Sequence, residues 1–291
     1  MIGETRGRAM LASLHGYWEQ AEDYQRFLYV VGGLLVFSAV FHTGVLIVTG
    51  GSLEGDVSWR KPILFGESFG LTALSVAWVM TFLPKWRFRG WLLLGTLGFA
   101  NFGEVLWVVM QQWRGVPSHF NNNTPLDAAL FGVAGILIAF TGSVILVVTL
   151  LTFFSLQASP SVRLAIRVGM VLLVFGQVFG VLIILNDGNT FGTAGAMKVP
   201  HALALHGAQV LPLLAWLLLF TEWSEVRRTQ TVAVGALGYA GLLVVEAVQT
   251  FSGLAPFDLG FGAASVSGIG AIFLMGAYGT AVIGLQKAQT G

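Results

Sequence analysis

Eight separate stretches of the chain are long and apolar enough to cross a bilayer, and no other feature restricts the fold as strongly. They run 27–49, 62–84, 91–113, 128–154, 165–186, 200–222, 232–252 and 264–285. About 20 mostly apolar residues in helical form span the hydrocarbon core, where only helices and closed barrels satisfy every backbone polar group. The expected fold class is an all-α integral membrane protein with eight transmembrane helices, and its first partner is the lipid bilayer. Composition agrees: charged residues make up 10% of the chain and hydrophobic residues 55%, whereas soluble domains carry about 25% charged residues. A net charge of +1 speaks against nucleic acid as a partner. Cysteine is absent, which excludes disulfides, thiolate metal sites, Fe–S clusters and a cysteine nucleophile.

The chain also repeats itself. Residues 34–41 read LLVFSAVF and residues 172–179 read LLVFGQVF, an offset of 138. The same offset pairs Gly50 with Gly188, Pro62 with Pro200, Trp78 with Trp216, Phe82 with Phe220, Gln111 with Gln249 and Gly115 with Gly253. Pro125-Leu126-Asp127 matches Pro256-Phe257-Asp258 after a shorter loop. A fixed period maintained over several helices is the signature of duplication. Four spans per copy keep both copies in one orientation, so two parallel four-helix repeats with pseudo-twofold symmetry about the membrane normal are expected. The expected organisation is an N-terminal segment 1–26, a first repeat 27–154 and a second repeat 165–285.

The first 26 residues carry Arg6, Arg8, Glu19, Glu22 and Asp23 without an apolar core, so no cleaved signal peptide is expected. They read as a cytoplasmic or interfacial segment. With the N-terminus inside, eleven of the fifteen Lys and Arg residues fall on the inner side; only Arg60, Lys61, Arg114 and Lys198 fall outside. The positive-inside rule then places both termini in the cytoplasm and the protein in the inner membrane.

Ionisable groups at membrane depth cost a few kcal/mol and mark functional candidates. At about 1.5 Å per residue, His42, Glu67, Glu104, His206 and Glu246 all lie roughly 7–14 Å below the outer boundary. His119 and His201 add imidazoles in or beside the outer loops. Polar stripes at helical spacing accompany them: Ser38, His42 and Thr49; Asn101, Glu104 and Gln111; His206 and Gln209; Tyr239, Glu246 and Gln249. Such stripes must point away from lipid. His201 and His206 lie five residues apart, about 140° around a helix, and so do not form an i, i+4 metal pair. At the repeat offset His42 corresponds to Gly180 and His206 to Ser68, which makes the site asymmetric. The loop RGVPSHFNNNTPLD, Arg114 to Asp127, reads either as a lid carrying His119 or as an ordinary capped loop. Trp59, Trp107 and Trp113 read as interface anchors.

Two tandem four-helix units with His and Glu on the outer side resemble the architecture of haem A synthase. The resemblance implies haem ligation by histidines within each bundle and an outer-side glutamate in the chemistry, with Glu67 in the comparable place. The present helices 4 and 8 carry no histidine, although that family draws ligands from those positions. The segments WRKPILFGESFG and HALALHGAQVLPLL are also similar to parts of uncharacterised bacterial multi-pass membrane proteins.

Two functions follow as expectations. The first is a membrane metal- or haem-binding protein, redox in character. Its ligands would be His42 and His206, joined by His201, His119, Glu67 and Glu104, with Glu67, Glu104 and Glu246 as catalytic or proton-carrying groups. Imidazole suits Fe, Cu and Zn, and carboxylates extend the range to non-haem iron. The alternative is a transporter of protons, a metal ion or a small polar solute through the same His/Glu cavity. A homo-oligomer or a larger membrane complex completes the expected partners.

Overall fold

Polar residues at the margins of the apolar stretches decide where each helix starts. The computed structural model describes the backbone of residues 2–287 and the side chains of residues 6–286. Its helices are α1 (Ile2–Glu19), α2 (Asp23–Thr49), α3 (Arg60–Phe82, closing in a 3-10 turn), α4 (Arg87–Trp113), α5 (Pro125–Ser155), α6 (Pro160–Leu185), α7 (Lys198–Leu218), α8 (Glu225–Phe251) and α9 (Phe261–Lys287). From α2 onward, all eight are long and apolar enough to span a membrane. Each begins before its apolar stretch, by two residues at Arg60 (against 62) and by seven at Glu225 (against 232). The hydrogen-bonded ladder thus extends beyond the apolar stretch into polar first turns.

The caps are local and specific. Glu22 and Gln25 form a reciprocal capping box at the start of α2, and Gly50 ends that helix at φ 67°, a left-handed conformation that glycine adopts without strain. Pro160 occupies the first turn of α6, where its missing N–H costs nothing. The Ser161 N–H donates to the Glu225 carboxylate at 2.7 Å, which sets a negative charge at the positive end of the α6 dipole. Ser224 caps α8 by accepting from the Arg227 N–H.

The chain divides into two compact units. The first holds Gln20–Leu150; the second holds α1 together with the chain from Leu151 onward. In the first, α2 and α3 cross at glycines: a Cβ at Gly66 would stand 2.8 Å from the Leu35 carbonyl oxygen, and one at Gly70 would stand 2.9 Å from that of Gly32. Close backbone approach through small residues drives helix association where lipid removes the hydrophobic contribution. Midway along α4, Asn101 donates to the Phe69 carbonyl of α3 at 3.3 Å and accepts from Thr141 of α5 at 3.0 Å. One amide thereby ties three spans together.

In the second unit, α6 and α7 meet at Gly169, where a Cβ would lie 2.8 Å from the Gly207 carbonyl oxygen. The α8–α9 contact is tighter still, with a Cβ at Gly238 only 2.5 Å from the Gly270 carbonyl oxygen. Tyr239 and Tyr278 each donate at 2.6 Å to carbonyls of α7, those of Leu203 and Val210. The helix α1, within the segment 1–26 read as cytoplasmic or interfacial, belongs to this unit: Trp216 donates to Ser13 at 3.3 Å, and Arg6 donates to the carbonyls of Gly284 and Leu285. A short antiparallel hairpin pairs Thr190–Phe191 with Gly195–Ala196 in the loop before α7.

Large apolar side chains cover the outside, among them Phe37, Phe99, Phe154 and Ile272. On a protein with eight spans these face bilayer lipid. The glycine contacts yield a first prediction. Gly238→Val should force α8 and α9 apart and lower the unfolding midpoint in detergent, at an overpacking cost of about 1–3 kcal/mol. Gly241→Val, one turn away with open space around it, should leave the midpoint nearly unchanged. Equal midpoints for the two variants would contradict the packing described.

Candidate functional site

The candidate residues fall into two groups, one in each unit. His42, Glu67, Glu104 and His119 belong to the first unit; His201, His206 and Glu246 belong to the second. His42 and His206, expected to act as co-ligands, therefore sit in different units.

In the first unit His42 is 3% exposed, and both ring nitrogens are engaged. The Trp113 indole N–H donates to Nε2 at 3.2 Å, and Nδ1 lies 2.7 Å from the Ser38 carbonyl oxygen. An indole N–H is a donor only, so Nε2 accepts, and the proton on Nδ1 is donated to Ser38. Trp59 stacks on the imidazole with centroids 6.0 Å apart. As held, the ring has no lone pair to offer a metal.

Glu104 is 1% exposed, between the buried side chains Asn101 and Gln111 of the same helix face. Its Oε2 has no hydrogen-bond partner, nor does the indole nitrogen of Trp107 one turn on. Trp107 is not the interface anchor expected from its sequence. It is buried because the loop after α4 folds His119 back over it, with ring centroids 4.9 Å apart. Phe65 at 5.1 Å and Phe131 at 6.3 Å complete an aromatic box around His119, and Ser118 Oγ lies 2.9 Å from its Nδ1.

That loop is anchored by Asp127. Its Oδ1 accepts from Gln111 at 3.0 Å and from Arg114 at 2.8 Å, while Oδ2 accepts from Thr124 at 2.7 Å. Gln111 also accepts from Arg114. The polar stripe on α4 thus splits in role: Asn101 joins spans, Gln111 clamps a loop, and Glu104 alone is left with an unused oxygen. Thr49, on the α2 stripe, is exposed and bonds only to backbone carbonyls, those of Val45 and Gly50. Glu67 is exposed on α3, beside the buried Gly66 and Gly70.

In the second unit the Nδ1 of His201 donates across to α6, to the Gly176 carbonyl at 2.8 Å. The ring lies over Gly180, where a Cβ would stand 3.2 Å from Cε1. With Nδ1 as donor, Nε2 carries the lone pair, and no hydrogen bond reaches it among the described residues. His206 is half-buried one and a half turns further along α7. Gln209 Oε1 and Glu246 Oε2 are shielded from solvent and accept no hydrogen bond. Gln249, read as part of the α8 stripe, instead clamps the following loop by donating to the carbonyls of Ala255 at 3.1 Å and Asp258 at 2.5 Å.

Among the described residues no three His, Asp or Glu side chains converge as a metal cage. What the chemistry of this donor set provides is single imidazoles oriented through Nδ1. A backbone carbonyl on that nitrogen fixes the tautomer and raises the basicity of the other, the arrangement common behind metal-bound histidines. His201 meets this requirement with Nε2 uncapped; His42 meets it with Nε2 capped.

The chain matches no protein-family model, no curated protein and no solved structure.

Proposed function

We propose that this is a multi-pass membrane protein that binds a haem, or a transition metal carried with further ligands of its own, through His201, and that it serves redox chemistry. The observation that carries the proposal is the His201 imidazole, oriented through Nδ1 by the Gly176 carbonyl, which leaves the lone pair on Nε2. Because no three-ligand cage is present among the described residues, haem suits the donor set better than a bare Fe, Cu or Zn ion. A porphyrin brings four nitrogens and needs one or two axial ligands, whereas a protein-held Zn site takes three or four side chains. When bound, the haem would supply the one-electron chemistry. His201 would hold it, Gly180 would leave room for the ring, and Glu246 of the same unit, with its unused Oε2, would hold or release a proton. Titration of the detergent-purified protein with hemin tests this: a Soret shift saturating at about one equivalent per chain is expected for an axial imidazole. A shift that never saturates, or one unchanged in His201→Ala, counts against it.

The same proposal includes pseudo-twofold repeats, an inner-membrane location and cytoplasmic termini. One local parallel supports the repeats. Gln111 and Gln249, paired at the 138 offset, each clamp the outer loop that follows, onto Asp127 in one case and the Asp258 carbonyl in the other. The topology is tested with single cysteines. At the exposed positions Ser52, Asn122 and Asp187 they should react with an impermeant thiol reagent from outside, and one at the exposed Ser224 should not. The reverse pattern would invert the orientation. Association with a second copy or a larger membrane complex also belongs to the proposal, since exposed Glu67 is a carboxyl at membrane depth that lipid does not solvate.

Glu104 favours a second reading, the transport of protons or a proton-coupled solute. Its carboxyl is buried with one oxygen unpartnered, an environment in which proton gain and loss carry the energetics. Glu104→Gln should then abolish pH-driven uptake into vesicles while leaving hemin binding intact. Uptake that persists in this variant would remove Glu104 from the transport reading.

A further inference from the structure

At the start of α8 one cation is left without an anionic partner among the described residues. Both acids beside it have a basic partner of their own: Glu222 meets Arg6 at 3.4 Å, and Glu225 meets Arg228 at 3.6 Å. The Arg227 guanidinium has no ion pair or side-chain hydrogen bond among the described residues. It lies instead over the Trp223 ring, 3.9 Å from the centroid. Trp223 rests in turn on α9, where a Cβ at Gly284 would meet Cζ2 at 2.6 Å. Stacking occupies one face of the guanidinium and leaves its five N–H donors around the edge.

Arg227 stands at the mouth of a groove of about 450 Å³ between α8 and α9. The Thr231 and Thr280 hydroxyls beside it already donate to the carbonyls of Arg227 and Gly276. The polar groups left over at the mouth are therefore the guanidinium and the exposed Gln230 amide, one helical turn apart. Deeper in, the walls are Val234, Ile272 and Phe273, all exposed. Gly276 keeps the trough open, since a Cβ there would meet nothing within 4 Å. The helices close up beyond it, where a Cβ at Gly235 would lie 3.3 Å from that of Ala277. Arg227 precedes the apolar stretch 232–252 by five residues, about 7.5 Å along the helix. That is the depth of the polar layer, about 5–8 Å thick on each face of a bilayer.

We infer that this groove binds an anionic phospholipid, with its phosphate on Arg227 and Gln230 and one acyl chain against Val234, Ile272 and Phe273. A polar mouth at headgroup depth above an apolar trough divides the groove as a phospholipid is divided. The unbalanced positive charge selects an anionic lipid, because a zwitterionic one brings an ammonium group that competes with Arg227 for its phosphate. The groove lies at the opposite end of α7 from His201, so the inference stands independently of the haem reading.

Native mass spectrometry of the full chain, released from micelles doped with phosphatidylglycerol or with phosphatidylcholine of the same acyl chains, tests this. The wild type should retain phosphatidylglycerol with an affinity about tenfold above that for phosphatidylcholine, the scale of one charged hydrogen bond. Arg227→Gln should remove that preference. Gly276→Leu leaves every charge in place and fills the trough at a position with open space around it, so it should weaken retention of both lipids. Arg163→Gln removes an exposed arginine at the same end of the spans, one that donates to the Ala158 carbonyl, and should change retention little. Equal retention of the two lipids by the wild type overturns the inference, as does wild-type behaviour in Arg227→Gln or Gly276→Leu. An equal loss in Arg163→Gln and Arg227→Gln also overturns it, because a diffuse attraction to the basic face of the protein then accounts for the binding.

Discussion

His201→Ala is expected to abolish ligand binding while leaving the protein folded in detergent. The ring makes one hydrogen bond, to the Gly176 carbonyl, and that carbonyl lies within α6, so its helical partner remains when the ring is gone. The loss therefore falls on binding and not on assembly. Gly180→Val provides an independent check, because it keeps the imidazole and removes its place. With even a Cβ at 3.2 Å from Cε1, a branched side chain must push the ring off the Gly176 carbonyl. Binding should fall nearly as far as in His201→Ala, although the ligand itself is present. His206→Ala should be milder, because a residue five positions on points about 140° away around the helix. Full binding in Gly180→Val would show that the ring acts from some other position.

The second large effect is expected at Asp127. Three donors, on Gln111, Arg114 and Thr124, converge on this one carboxylate. Asp127→Ala leaves all three without it, and a half-satisfied network is worse than none. The loop between Arg114 and Thr124 should come loose and withdraw His119 from the box formed by Phe65, Trp107 and Phe131. Limited proteolysis should then cut within the loop far faster than in the wild type, and Trp107 emission should shift to the red. Asp127→Asn keeps the shape and loses the charge, so it should fall between. Cleavage at the wild-type rate in Asp127→Ala would mean that the loop is held by the aromatic box alone.

The spans were legible because an apolar run of about 20 residues is a one-dimensional signal. Their starts were not. The turn at Glu225–Thr231 is polar, and it is helical because Ser224 caps it and Glu225 lies against the start of α6. The amphipathic periodicity of α1 was too weak to announce a helix; what places it are partners more than 200 residues away, such as Trp216 for Ser13. Polar stripes showed which residues avoid lipid, and Asn101, Glu104 and Gln111 are all buried. They could not show which polar groups were already satisfied. Gln111 and Gln249 spend their amides on loops, Trp107 lies under His119, and within the stripes the unused oxygens include those of Glu104, Gln209 and Glu246.

The histidines illustrate the same limit. Sequence register paired His42 with Gly180 and so pointed to a single asymmetric site. The space over Gly180 is filled by His201, a residue 21 positions further on. A contact between neighbouring helices has no fixed sequence spacing, so the place of His201 over Gly180 could not be read from the chain. The capping of His42 by Trp113, 71 residues apart, was hidden for the same reason.

The account depends above all on whether the protein carries an imidazole-ligated cofactor when it leaves the cell. The most direct measurement is an absorption spectrum with elemental analysis, on protein gently isolated from cells supplied with iron and haem precursors. The account predicts a haem spectrum at about one per chain, with the Soret and visible bands of imidazole ligation, and its absence from His201→Ala prepared in parallel. Wild-type protein that is folded and monodisperse yet free of haem, iron, copper and zinc would contradict it.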